Sequence, residues 1–171
     1  MRHHVLKTGM RIFSKFRWST IKKTCTHCFQ NETALHLFAN CSIATDVWRI
    51  FIPLLIKILP RNTPIKQPYL ILGIFPNNEK PKNDFPYRLG YTITTTIVYI
   101  LWKARCQAVF QKKKQTVAGI TKEISNNLKI TIQRKFDQYL SKSNLSNFKH
   151  RFCIGDALCS INKQSQLVLN I

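Results

Sequence analysis

The sequence predicts a mostly α-helical protein in which a small knuckle of clustered Cys and His residues precedes a bundle of about three helices. Three observations favour this fold class. Four Cys and His residues lie close together near the start, apolar residues recur at helical spacing in three later segments, and prolines are concentrated between these segments. The chain has 171 residues, 44% of them hydrophobic, which is enough to bury a core.

These patterns divide the chain into four predicted regions. They are a basic arm with the Cys/His module at 1–59, a Pro-rich connector at 60–86, a helical region at 87–140 and an irregular tail at 141–171. The connector contains an apolar insert, which predicts either a strand or a segment that packs on the helices.

The first 24 residues form a basic arm in which aromatic residues are interleaved with cations. This composition favours a nucleic-acid-binding arm, and a mitochondrial presequence with the same composition is the alternative. The candidate nucleic-acid-binding residues are Arg11, Lys15, Phe16, Arg17, Trp18, Lys22 and Lys23.

Three longer helices are predicted from the apolar periodicity. The first begins at a cap at Ser42 and runs toward Leu59, and Pro53 is expected to kink it or to end its first half. The second spans 87–113, and the third, which is the most clearly amphipathic, spans 116–140.

A shorter helix is expected in front of these, inside the Cys/His cluster. Asn31 is the candidate N-cap of this helix, which carries His36. Glu32 would then lie at the positive end of the helix, where a carboxylate is favourable.

The charge balance is strongly basic. The chain has 27 Lys and Arg residues against 7 Asp and Glu, a net charge of +20 and a pI of about 10.1. Because self-repulsion opposes the compact state, this excess predicts a polyanionic partner. We expect this partner to be nucleic acid, ahead of an anionic membrane surface. The alternative explanation of the charge excess is compositional drift, since the chain is rich in Lys, Ile and Asn.

The six cysteines are expected to be reduced, since the start of the chain shows no secretory signal and a chain this rich in core residues needs no disulfide scaffold. We therefore expect a cytoplasmic or nuclear protein that is not secreted. No membrane partner is expected, because the uncharged run at 91–102 is shorter than the roughly 20 residues of a bilayer span. In a reducing compartment, grouped cysteines indicate a bound metal.

The grouped residues have the spacing Cys25-x2-Cys28-x7-His36-x4-Cys41. A two-residue spacer lets one tight turn present two thiolates to one ion, and a His and a Cys on or beside a short helix complete the shell. Because four nitrogen and sulfur ligands leave no open position, the pattern predicts one structural Zn²⁺ and not a catalytic one.

Two alternatives remain for the metal ligands. His27 is an alternative to His36, although its position between the first two cysteines is awkward. The remaining cysteines are expected to be buried or free thiols: Cys106, Cys153 and Cys159. A second metal site that adds His150 to the last two of these is the alternative.

Residues 25–48 resemble the zinc-binding domain at the C-terminal end of non-LTR (LINE-type) retrotransposon reverse transcriptases. The shared pattern is two cysteines, a Glu-Thr pair, His-Leu-Phe, a further Cys and a Trp about seven residues later. The matching residues here are Cys25, Cys28, Glu32-Thr33, His36-Leu37-Phe38, Cys41 and Trp48. Residues 6–9 and 100–105 resemble the flanking segments of that domain, and the tail has no such resemblance.

The resemblance implies that the four clustered residues are the zinc ligands and that Phe38 and Trp48 form a small core beside the metal. It also implies a truncated or remnant reading frame without the polymerase domain, since the chain contains no paired-aspartate polymerase motif. We therefore do not expect reverse transcription from this chain alone.

These observations predict a zinc- and nucleic-acid-binding protein that is not an enzyme, since the chain lacks a nucleophile–base motif and a Gly-rich phosphate loop. The expected partners are RNA or single-stranded DNA and a reverse transcriptase core, with Phe16, Trp18 and Phe29 as candidates for base stacking. The alternatives are a structural module that docks on a polymerase and a fragment with no selected function.

Overall fold

The structure is a computed structural model that describes residues 24–61, residue 63 and residues 85–171. Its elements follow in chain order: a π-helical turn (His36–Asn40), α1 (Ser42–Ile58), α2 (Phe85–Phe110), α3 (Val117–Leu140), α4 (Leu145–Phe152), a 3₁₀ turn (Ile154–Asp156), β1 (Cys159–Ile161) and β2 (Leu167–Leu169). The prediction of a mostly α-helical fold is confirmed.

The core lies between α1, α2 and α3, which pack on one another. Each helix contributes one apolar stripe with a spacing of three or four residues, as expected for an amphipathic helix. The largest fully buried side chains on these helices are Trp48, Leu55, Ile93, Ile97, Ile100, Ile120, Ile124 and Leu128. The stripe of α3 matches the predicted period and is continued by Ile132 and Phe136.

Helix α1 runs without interruption from Ser42 to Ile58, although Pro53 lies inside it. The expectation that Pro53 would end the first half of the helix is therefore wrong. Pro53 lies on the exposed side, while Phe51 and Leu55 on either side of it are buried. Tertiary packing of these neighbours offsets the hydrogen bond that the proline cannot donate.

The expected Asn31 cap is also wrong. Asn31 forms an isolated antiparallel bridge with Thr24, and the Thr33 hydroxyl accepts the hydrogen bond of the His36 backbone N–H at 3.0 Å. Thr33 is thus the residue that satisfies a backbone donor at the start of this helical segment.

The predicted bounds of α2 and α3 are close to the observed ones. Helix α2 starts two residues earlier than predicted and ends at Phe110, and Lys112, with a φ of 54°, prevents its continuation. Helix α3 begins after Thr116, whose hydroxyl accepts from the Gly119 N–H at 3.1 Å. This is an ordinary N-cap.

The tail that was expected to be irregular contains α4 and a short antiparallel hairpin with the register Cys159↔Leu169, Ser160↔Val168 and Ile161↔Leu167. Phe148 on α4 is fully buried and packs edge-on against Phe136 of α3, with ring centroids 5.2 Å apart. Strands of three residues are too short to show an alternating pattern, which is why the sequence did not reveal them.

Among the described residues, no helix combines the length and the hydropathy that a bilayer span needs. Most of the predicted Pro-rich connector and the whole of the segment 1–23 lie outside the described residues.

A buried ion pair joins the Cys/His segment to α2. The Arg105 guanidinium donates from Nε at 3.0 Å and from Nη2 at 2.9 Å to Oε1 of Glu32. The side chains are 3% and 1% exposed, respectively. The charge of Glu32 is therefore matched by Arg105 inside the protein, a partner that the sequence did not indicate.

We expect Glu32→Gln to lower the free energy of unfolding by about 3 kcal/mol, because it leaves the Arg105 guanidinium buried without a counter-charge. Urea unfolding followed by circular dichroism measures this change. The control is Asp46→Asn, which removes an exposed pair with Arg49 at 3.0 Å and should cost less than about 0.5 kcal/mol. Equal effects of the two substitutions would contradict a special role of the buried pair.

Candidate metal centre

The first two cysteines lie on a tight turn closed by backbone hydrogen bonds. The Cys25 N–H donates to the Gln30 carbonyl at 2.7 Å, and the Phe29 N–H donates to the Cys25 carbonyl at 3.0 Å. The His27 N–H points at the Cys25 sulfur, at 3.4 Å. Because these bonds fix the backbone across the two-residue spacer, both sulfur atoms are presented on one side of the turn.

His36 and Cys41 enter the cluster through the π-helical turn. The Cys41 N–H donates to the His36 carbonyl at 2.7 Å, five residues back. On a regular α-helix, side chains five positions apart would point roughly 140° away from each other. The wider π turn brings them to the same side, and such turns recur at functional sites.

The structure brings all four predicted ligands together. One potential ligand atom from each of Cys25, Cys28, His36 and Cys41 lies within 4.8 Å of the others. The sulfur atoms of Cys25 and Cys41 are 3.7 Å apart, and the Cys28 sulfur is 3.1 Å from His36 Nε2. Two thiolates on one tetrahedral zinc ion are roughly 3.8 Å apart, so this arrangement could hold one metal ion and is compatible with zinc.

The cluster is closed to solvent on most sides. Cys25, Cys41 and His36 are 1%, 3% and 6% exposed, and Cys28 is half-buried. A site whose four protein ligands are all in place and mostly buried has no open position for a substrate. Such a centre is suited to holding the fold and not to catalysis.

The charge state of the cluster is set by the contact between two sulfur atoms. The hydrogen bond between the Cys25 and Cys41 sulfur atoms lowers the pKa of Cys25. The same hydrogen bond, together with burial, raises the pKa of Cys41. A cation in the cluster would attract both sulfur atoms and favour their thiolate forms.

A second layer of hydrogen bonds holds the π turn in position. The Trp48 indole N–H donates to the Phe38 carbonyl at 2.6 Å, and the Thr45 hydroxyl donates to the Ala39 carbonyl at 3.0 Å. Trp48 and Phe38 are fully buried in one cluster with Cys25 and Cys41. The α1 helix therefore supports the segment that presents the ligands.

The other Cys and His residues that the structure describes do not join the cluster. His27 lies outside the group of four, and burial lowers its pKa. The sulfur atoms of Cys153 and Cys159 are 3.5 Å apart, but the His150 ring packs edge-on against Phe85. Within the described part of the chain, no second group of three or more metal-binding side chains is present.

The predicted nucleic-acid-binding residues of the basic arm lie in the segment 1–23, outside the described residues, whereas Phe29, the third stacking candidate, is described and is exposed. The structure instead reveals cations that the sequence reasoning did not single out. Lys112, Lys113 and Lys114, here called the lysine loop, are exposed between α2 and α3, and Lys114 Nζ lies 5.7 Å from the ring centroid of Phe29. Three consecutive lysines at the end of a predicted helix were a signal that could have found them.

The chain matches no protein-family model, no curated protein and no solved structure.

We expect the purified protein to hold about one metal ion per chain and Cys41→Ser to lose it, because three remaining ligands no longer form a closed shell. Elemental mass spectrometry measures the metal content and identifies the ion. Cys106→Ser is the matched control, since Cys106 is half-buried on α2 outside the cluster. Retention of a full equivalent by Cys41→Ser would exclude this cluster as the metal site.

Proposed function

We propose that the protein is a zinc-stabilised nucleic-acid-binding module that derives from the C-terminal region of a non-LTR retrotransposon reverse transcriptase and has no catalysis of its own. The observation that carries the proposal is a buried set of three sulfurs and one imidazole nitrogen, within 4.8 Å of one another, in a chain with a net charge of +20.

The ligand chemistry favours zinc. Thiolate and imidazole groups are soft or borderline ligands, whereas Mg²⁺ and Ca²⁺ require oxygen ligands. The 3.7 Å sulfur–sulfur separation fits a tetrahedral site with four protein ligands. In this role the ion stabilises a segment that has few apolar side chains of its own, and no reaction step passes through it.

The distribution of charge favours a nucleic-acid partner. Three carboxylates are engaged by cations: Glu32 by Arg105, Asp46 by Arg49 and Glu123 by Lys103. The lysine loop, by contrast, forms no ion pair with any described carboxylate. A surface with uncompensated lysines binds phosphates and releases their counterions.

The resemblance to the reverse transcriptase domain is supported by the roles of the shared residues in this chain. Thr33 caps the helical segment, Glu32 pairs with Arg105, and Trp48 holds the Phe38 carbonyl. Each of these positions has a structural task beside the four clustered residues, as we expect if the shared pattern belongs to one folded unit.

An apolar surface on α1 favours a second candidate function, docking on a protein partner such as a polymerase. Ile50 and Ile56 are 52% and 59% exposed. Ile50 lines a cavity of about 490 Å³ together with Pro53, Leu54 and Lys57, among other residues. Exposed apolar groups beside a cavity are typical of protein-interaction surfaces.

We expect the protein to bind a labelled single-stranded RNA with a steep salt dependence, because binding releases counterions from the phosphates. For about five phosphate contacts, the slope of log K against log salt is about −3.5. Fluorescence anisotropy at salt concentrations between about 50 and 200 mM measures it.

Cys41→Ser and Cys106→Ser are compared in the same salt series. Loss of RNA affinity in Cys41→Ser, together with loss of the metal, supports an organised nucleic-acid surface. Equal binding by both variants would mean that charge alone attracts the RNA, and salt-insensitive binding would contradict the proposed function and favour the docking surface on α1.

A further inference from the structure

Phe29 has two properties that oppose folding. Its side chain is 71% exposed, and its backbone adopts a φ of 63°. The left-handed region is unfavourable for a bulky side chain, and glycine is the usual residue there. An exposed aromatic ring at a position where glycine would be more stable indicates a role outside the fold.

The ring stands on a rigid support. The Phe29 N–H is bound to the Cys25 carbonyl at 3.0 Å, and the Cys25 N–H is bound to the Gln30 carbonyl at 2.7 Å. Phe29 also directly follows Cys28, whose sulfur belongs to the metal cluster. The closed turn therefore fixes the backbone that carries the exposed ring, which leaves less backbone freedom to lose on binding.

The lysine loop lies beside this ring. Lys114 Nζ is 5.7 Å from the Phe29 ring centroid, and the Lys113 N–H donates to the Gln107 carbonyl at 3.1 Å, which ties the loop to the end of α2. All three lysine side chains are exposed. The carboxylate of the Cys/His segment, Glu32, is buried against Arg105 and does not neutralise them.

On the basis of the proposed function, we infer that Phe29 and the lysine loop form a binding site for single-stranded nucleic acid. The ring stacks on an unpaired base, and the lysines contact the phosphates on either side of it. A paired and stacked base does not expose its face, so the site discriminates against duplex. Every base has a π face, so the site has little sequence preference.

The first test is Phe29→Gly, assayed with a labelled oligouridine and with a duplex RNA of the same length. We expect the variant to bind the oligouridine about tenfold more weakly, since one stacked base is lost, and to bind the duplex unchanged. Its metal content should equal that of the wild type, and its melting temperature should be equal or higher because glycine relieves the positive φ.

The second test replaces all three lysines of the loop by glutamine. We expect the slope of log K against log salt to decrease in magnitude by about 2, the value for three phosphate contacts on a single strand. The matched control replaces Lys142, Lys149 and Lys163 by glutamine. These lysines are exposed and come after the C-terminal end of α3, whereas the lysine loop comes before its N-terminal end. Tyr99→Ala, which removes another exposed aromatic ring, is the control for Phe29.

The outcomes separate this inference from the proposed function. If the wild type does not bind oligouridine, or binds it with an affinity that does not depend on the salt concentration, the proposed function fails. If the wild type binds oligouridine and both variants, Phe29→Gly and the lysine-loop variant, bind it as tightly as the wild type does, the proposed function stands and the binding site is elsewhere. Equal losses on oligouridine and duplex in Phe29→Gly would overturn the stacking role.

Discussion

The approach of two sulfur atoms inside the protein is the constraint on which the rest of the structure depends. Cys25 and Cys41 bring their sulfurs to 3.7 Å among apolar side chains, where a thiolate is costly unless a cation or a proton accompanies it. Cys41 is also the residue before α1. The cluster therefore adjoins the start of the first long helix, and α1 in turn packs on the other helices of the core.

Polar contacts then attach the cluster to the helical bundle. The Trp48 indole binds the Phe38 carbonyl, and the Arg105 guanidinium binds Glu32 in the interior. Apolar packing alone tolerates small rotations of the Cys/His segment, whereas a buried donor or charge accepts a narrow range of positions. These contacts give the segment one defined orientation on α1 and α2.

The sequence predicted those parts of the molecule that follow from local periodicity and spacing. These parts are the apolar stripes of α1, α2 and α3 and the grouping of the four Cys and His residues. Each of them can be recognised from residues that are close together in the sequence. The partner of Glu32 lies 73 residues away, and no local pattern identifies it. The sequence left open whether α1 would continue through Pro53, and it did not reveal the hairpin at the end of the chain. Both depend on tertiary packing, which overrides a helix breaker and stabilises strands of three residues.

The separation of Glu32 from Arg105 also has a consequence for the order of assembly. Closing the Cys/His segment joins residues 16 positions apart, whereas the ion pair joins residues 73 positions apart. Longer loops cost more entropy to close, and distant contacts form more slowly. During synthesis the four clustered Cys and His residues emerge well before α2. We therefore expect the segment to close first, on a metal ion if the proposed function is right, with Glu32 in water until α2 docks as a later and slower event.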